Sequence, residues 1–216
     1  PAENLLRLPA GMSPELATLF EPLAIVLHSL RLASLAPRET AAVFGAGPIG
    51  LMTVIMLKLC GASRVFAVEP VEHRRRMARN SGADAAFDPN EGEASRAILA
   101  GTGGRGVDVV FDCATKGDSI DQSLKSVRNG GRLVLTGIPV EVHTPFQTHT
   151  ARRKELVIYN VRRSNRNSED ALNLLEEQSA RFSPLITHVL PMEKIQGAFE
   201  MLEKYSDGCG KVVLRP

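Results

Sequence analysis

Residues 40–57 read TAAVFGAGPIGLMTVIML, a short apolar run, three glycines within six residues, and a second apolar run. Glycine weakens strands and helices alike, because it loses more backbone freedom on folding than any other residue. Gly45, Gly47 and Gly50 therefore stand where the main chain has a particular task. Their spacing is G-x-G-x-x-G, which arises by chance in glycine-rich chains, so position must give it meaning. Here a strand ends at Phe44 and a helix begins inside the element, the setting in which each glycine has a mechanical role. Gly45 permits the tight turn, Gly47 lets a pyrophosphate approach the backbone, and Gly50 lets the helix lie close to the strand. Pro48 opens the helix and forgoes an N–H that would lack an intrahelical partner. The free amides of the first turn, with the positive end of the helix dipole, then face the phosphates. A strand-to-helix turn with no ligand is the competing reading.

Outward from this element, β-rich runs alternate with helical stretches. Strands are expected at 41–44, 64–68, 85–87, 108–112, 132–136 and 156–160, and helices at 49–60, 72–81, 93–100 and 119–127. The runs VFAV and, apart from Asp108, VDVVF are apolar, as strands covered on both faces require. Strand, helix, strand in succession calls for parallel pairing. Six such strands make an α/β class chain with a doubly wound parallel six-stranded sheet, the Rossmann fold. The link 137–155 reads as a loop. Ahead of the sheet, 14–33 is helical and apolar nearly all round. Behind it, 166–216 reads as helix (168–179), strand (187–190), helix (192–204) and strand (211–214). Ser168 is a plausible N-cap, with Glu169 and Asp170 in the first turn.

The second strand ends at Glu69, 19 residues after Gly50. A carboxylate there accepts ribose hydroxyls and repels the extra phosphate of NADP, which favours NAD. In the HRRR run that follows (73–76), Arg74 can lie flat on adenine or bind a phosphate. Arg75 and Arg76 suit a solvated helix face, and His73 an exposed position.

Composition bounds the rest. Hydrophobic residues make up 44% and charged residues 23% of 216, enough for a globular fold with a real core. A net charge of +2 speaks against a nucleic-acid partner, and the pairs RR at 152–153 and 162–163 read as local solvated faces. No apolar stretch reads as long enough to span a bilayer and no leader pattern opens the chain, so no membrane partner is expected. Cys60, Cys113 and Cys209 are scattered without metal-ligand spacing, as suits reduced thiols and a cytoplasmic location. Cys60 and Cys113 read as small core residues. His28 reads as a packed histidine or a relay, while His143, His149 and His188 lack ligand-like spacing. The opening PAENLLRLP, with Pro1 in place of methionine, reads as a mid-chain connector and points to a fragment.

EPLAIVLHSL (21–30), VFGAGPIGLM (43–52), the pair Glu69 and Arg74, GAD (82–84), GVDVVFDC (106–113), NGGRLVLTGIP (129–139) and LITHVLPMEKIQGAFEML (185–202) follow one another in order. Over nearly all of its length the chain thereby resembles the zinc-dependent medium-chain dehydrogenases of the alcohol dehydrogenase superfamily, nearest the sorbitol and threonine dehydrogenase branch. The resemblance implies a bilobed enzyme whose first domain carries a catalytic zinc and is missing here. Residues 1–20 would be a connector from that domain, 21–165 the NAD-binding domain, and 166–216 a segment returning to the catalytic domain. It also implies that Ile49, Glu69 and Arg74 contact NAD. Thr136, Gly137 and Ile138, with Val161, Arg162 and Arg163, would line the nicotinamide side.

Glu21 would sit beside the zinc of the missing domain, and Arg163 would contact a polyol. Ser164 departs from the branch, which has an aromatic hydroxyl there, and RRSNRN makes a more cationic pocket edge suited to an acidic or phosphorylated sugar alcohol. The implied reaction is hydride transfer between a small secondary alcohol or polyol and NAD, in a homo-oligomer, with this fragment alone inactive. Two other readings stay open: a stand-alone dinucleotide-binding module without catalysis, and a zinc-free NADPH reductase of the same superfamily.

Overall fold

The computed structural model describes residues 5–216, so the first four residues of the expected connector lie outside the described residues. Six strands, β1 (Thr40–Phe44), β2 (Arg64–Val68), β3 (Ala85–Phe87), β4 (Val107–Asp112), β5 (Val127–Leu135) and β6 (Val157–Asn160), form one sheet in the order β3-β2-β1-β4-β5-β6. Every neighbouring pair is parallel. The helices are α1 (Pro14–Ala17), α2 (Phe20–Ala33), α3 (Pro48–Leu59), α4 (Glu72–Asn80), α5 (Ala94–Gly101), α6 (Ser119–Ser126), α7 (Thr148–Arg153), α8 (Ser168–Glu177), α9 (Ser179–Phe182) and α10 (Ile195–Lys204). Strands β7 (Ile186–Pro191) and β8 (Lys211–Arg215) pair in parallel as a separate two-stranded sheet.

Because successive strand residues point to opposite faces, the sheet sorts its side chains into two cores. Ala41, Val43, Val65, Ala67, Val109, Phe111 and Val134 face α2, α3, α8 and α9. Ala42, Phe44, Phe66, Val68, Val110 and Leu133 face α5 and α6. Helix α3 lies deepest, with Gly50 to Leu57 buried without a break, which explains a sequence too apolar for a one-sided helix. Gly50 sits where the helix meets the end of β1. A Cβ there would lie 1.8 Å from the Gly45 carbonyl oxygen, so no side chain fits.

Several boundaries differ from the sequence expectation for identifiable reasons. Strand β5 starts at Val127 rather than at 132, because α6 runs straight into it and Val127 pairs with Val107. Residues 128–131 then bulge, with Gly130 at φ +65°, before pairing resumes at Arg132. The expected 137–155 loop contains α7, whose Ala151 packs on the second core with Phe146. Ser168 is the first residue of α8 and not its cap. The capping position is Asn167, which makes no side-chain cap bond and donates through Nδ2 to the Ala24 carbonyl at 3.4 Å. Cys60 is exposed, against expectation, whereas Cys209 is buried. The stretch Pro14–Ala33 has a mean hydropathy of 1.4 and is long and apolar enough to cross a membrane, which corrects the reading that no such stretch exists. It is broken between α1 and α2, and Leu19, Leu23, Ala24 and Val26 lie in the first core.

The amino ends of the strands are tied by Asp108. Its carboxylate accepts the Thr40 amide at 2.8 Å and hydroxyl at 2.7 Å, and it pairs with Arg105 at 2.6 Å and Arg128 at 2.7 Å. Burial pushes its pKa upward, yet the bonds from Arg105, Thr40 and Arg128 outweigh this and hold the carboxyl well below the ordinary range. At the chain's extremities, the Arg215 guanidinium pairs with Glu15, joining β8 to α1.

A depressed carboxyl pKa confers stability that is present above the unfolded-chain value of 3.8 and fades as pH falls through the folded value. Asp108→Asn should therefore lower stability near neutrality by about 2 kcal/mol, a melting shift of roughly 4–8 °C. In calorimetry the gap to wild type should shrink below about pH 4. Gly50→Ala should cost about 3 kcal/mol or more by forcing α3 off β1, read as an earlier denaturant midpoint.

Candidate functional site

The sheet order reverses direction between β1 and β4, and the carboxyl ends of an open parallel sheet at such a point form a crevice. A cavity of about 420 Å³ lies there, lined by the ends of β1, β2 and β4 together with Gly45, Gly47, Glu69 and Arg74. Gly45 turns with φ +86°, a conformation that L side chains resist. Gly47 is the N-cap of α3, with no side-chain cap bond and with Pro48 directly behind it. A Cβ on Gly47 would meet nothing within 4 Å, so its bare backbone faces open space. Amides at the start of a 12-residue helix with no capping side chain can receive an anion.

Glu69 is 4% exposed and held from two sides. Oε2 accepts the Ala46 amide at 2.7 Å, inside the glycine turn, and Oε1 accepts the Val71 amide at 3.0 Å. A carboxylate has about four acceptor sites, so lone pairs remain for a hydroxyl in the cavity. Arg74 stacks on the ring of Tyr205, 4.4 Å from its centroid. Arg75 is not a solvated residue: it pairs with Asp88 at 2.8 Å and donates to the Glu69 and Pro70 carbonyls at 2.9 and 2.6 Å. His73 is half-buried, with Nε2 3.1 Å from the Cys209 carbonyl oxygen, where an exposed ring was expected.

The remaining candidates lie outside this cavity. Pro48, Ile49 and Gly50 continue into α3, with Ile49 packed on the first core. The Thr136 hydroxyl is 3.3 Å from Ser29 Oγ, turned toward α2. Gly137 passes so near Thr115 that a Cβ would lie 2.2 Å from the Thr115 hydroxyl oxygen. Ile138 is 90% exposed. After β6, Val161 packs partly on the first core, while Arg162 and Arg163 are exposed, the latter at φ +56°. Glu21 is exposed in the first turn of α2. His28 has its Nδ1 buried without a hydrogen-bond partner.

Sequence reading missed much of the cavity, including the brace behind one of its turns and the wall formed by Tyr205. Asp112, fully buried, braces the turn after β4: Oδ1 accepts the amides of Ala114 at 3.0 Å and Thr115 at 2.8 Å, and Oδ2 the Ser119 hydroxyl at 2.8 Å. Burial raises its pKa against those bonds. An acid directly after the apolar run Val109–Phe111 was the available signal, since a buried carboxylate must find partners. Next to it, burial and then the Asp112 charge push the partly exposed Cys113 up to about 12, so this thiol stays protonated and unreactive. Tyr205 left no local signal, because it reaches the cavity only through the folded tail. Among the described residues no three His, Cys, Asp or Glu side chains gather to hold a metal ion.

Known proteins share this fold. A family model described as zinc-binding dehydrogenase matches residues 48–177. The L-threonine 3-dehydrogenase of Bacillus subtilis (strain 168) is 34% identical over 218 residues, covering 100% of this chain and 62% of the relative. The sorbitol dehydrogenase of the same organism is 29% identical, covering 97% of this chain and 59% of its own. A protein of Sinorhizobium meliloti 1021 solved bound to NADP superposes with a TM-score of 0.91 at 26% identity, covering 100% of this chain and 64% of its own. The chain thus spans under two thirds of the length of the relatives it matches. Within that span, the six-stranded parallel sheet, the glycine turn and the matched stretch together make it a member of the zinc-binding dehydrogenase family.

Proposed function

We propose that this chain is the coenzyme-binding part of an NAD-dependent, zinc-dependent dehydrogenase that moves hydride between a secondary alcohol or polyol and NAD. The observation that carries the reading is the pairing of a side-chain-free helix start at Gly47 with the buried carboxylate of Glu69 on one cavity. A dinucleotide fits those residues: a pyrophosphate against the opening of α3, and a ribose diol against Glu69. A carboxylate at that place opposes a 2′-phosphate, which supports NAD over NADP. When bound, the coenzyme supplies the nicotinamide ring that accepts or donates hydride.

The chain's own residues bind and orient. In this reading Thr136, Gly137, Ile138, Val161, Arg162 and Arg163, at the carboxyl ends of β5 and β6, line the nicotinamide side, with Ile49 and Arg74 toward the pyrophosphate and adenosine. Glu21 and Arg163 stand nearest the substrate. This reading assigns the zinc ligands to sequence outside these 216 residues, so that the chain alone would be inactive. The proposed layout keeps 1–20 as connector, 21–165 as the NAD-binding domain and 166–216 as the return to the catalytic domain. A cytoplasmic location and pairing between copies along the half-exposed edge strand β6 belong to the same proposal.

Calorimetric titration of the chain with NAD and NADP tests the assignment. NAD should bind at least about tenfold more tightly, a difference of about 1.4 kcal/mol; the reverse order makes it an NADPH protein. Gly47→Ala should leave the melting temperature nearly unchanged, because the new methyl meets no neighbour, yet weaken NAD binding by roughly tenfold or more. Unaltered affinity in that variant removes the pyrophosphate from the glycine turn.

A further inference from the structure

One wall of the cavity comes from the far end of the chain. Tyr205 caps α10 in the left-handed conformation, φ +50°, which costs a non-glycine residue energy. Its surroundings hold it there. His73 of α4 meets the Cys209 carbonyl at 3.1 Å, and a Cβ on Gly210 would come within 2.6 Å of the Met77 methyl. The segment after α10 is thus seated directly on α4, and it delivers the Tyr205 ring to the Arg74 guanidinium, 4.4 Å away. Both residues line the cavity beside Glu69.

Arg74 is unlike its neighbours on α4. Arg75 has Asp88 and two carbonyls, and Arg79 donates to the Ala86 carbonyl at 3.0 Å. Arg74 forms no ion pair among the described residues, and its Nε is buried with no hydrogen-bond partner. Buried donors without partners are rare and call for an explanation. Stacking on an aromatic face compensates part of the cost. The guanidinium plane is thereby fixed in orientation while its polar groups stay uncommitted.

We infer that Tyr205 is a positioning residue for the coenzyme: by holding Arg74 flat, it offers the guanidinium as a platform for the adenine base and keeps it from reaching the 2′ position of the ribose. This rests on the dinucleotide reading above and adds a determinant of NAD over NADP from outside the nucleotide fold. Freed of the ring, Arg74 regains its rotamers and can meet a 2′-phosphate as a charge-assisted donor.

Two adenosine-only probes isolate this half of the site: 5′-AMP and adenosine 2′,5′-bisphosphate, titrated calorimetrically into the 216-residue chain. Tyr205→Ala should weaken 5′-AMP roughly three- to tenfold and weaken the 2′,5′-bisphosphate less, so the preference between them shifts toward the phosphorylated probe. Tyr205→Phe keeps the ring and should retain the wild-type preference. In an Arg74→Ala background, Tyr205→Ala should have no further effect on 5′-AMP. Equal losses for both probes, or the same loss with and without Arg74, overturn the inference. If Tyr205→Ala does not fold, emission decides. The chain has two tyrosines and no tryptophan, so Tyr159→Phe leaves Tyr205 as the sole emitter, and saturating 5′-AMP must change its fluorescence. An unchanged signal also overturns the proposal. NAD binding by the wild-type chain keeps the dinucleotide reading intact in either case, whereas a chain that binds neither NAD nor 5′-AMP ends both.

Discussion

A helix can begin on the carbonyl that closes the preceding strand only where no side chain intervenes, and at Gly50 none does. The contact between α3 and the Gly45 carbonyl sets the height of the whole helix above the sheet. From it follow the unbroken burial of Gly50 to Leu57, the space that α2 and α8 fill on the outer side, and the opening of the helix toward the crevice. The site is a consequence of this approach as much as the core is. Moving the helix outward by the width of a methyl group would loosen the first core and withdraw the amides from the cavity.

Three carboxylates fix the ends of the sheet against this helix layer, and each does so mainly through main-chain donors or fixed cations. Asp108 ties the amino ends of β1, β4 and β5. Glu69 and Asp112 work at the carboxyl ends, the first bridging the glycine turn to the start of α4 and the second bracing the turn before α6. Buried carboxylates are costly unless saturated with hydrogen bonds. Placing two of them at the crevice keeps its loops in fixed positions, so little ordering remains when a ligand arrives. Stability and preorganisation here come from the same bonds.

The sheet was legible because its signals are local. VFAV is apolar throughout and VDVVF is apolar but for Asp108, for the reason that both faces are covered, and the glycine element lies between a strand and a helix that are each strongly patterned. What escaped had two causes. Some features depend on residues far apart in the chain, as with Arg74 on Tyr205 and His73 against Cys209. Others are local but run against the usual rule: Val127 enters β5 straight from α6 with a bulge to follow, and a run of arginines that looks solvated proves to contain Arg75, consumed in main-chain and Asp88 contacts. Spacing pointed to Glu69 but not to its grip on the Ala46 amide, since spacing says nothing of where a side chain points. The positions after β5 and β6 came only through resemblance, and the cavity does not gather them.

The ion pair between Glu15 and Arg215 brings α1 and β8 side by side, although 200 residues separate the partners. A single exposed ion pair contributes little by itself, but this one closes a loop of 200 residues around both cores. Losing it would free α1 and β8 together and leave β3-β2-β1-β4-β5-β6 paired, since neither element belongs to that sheet.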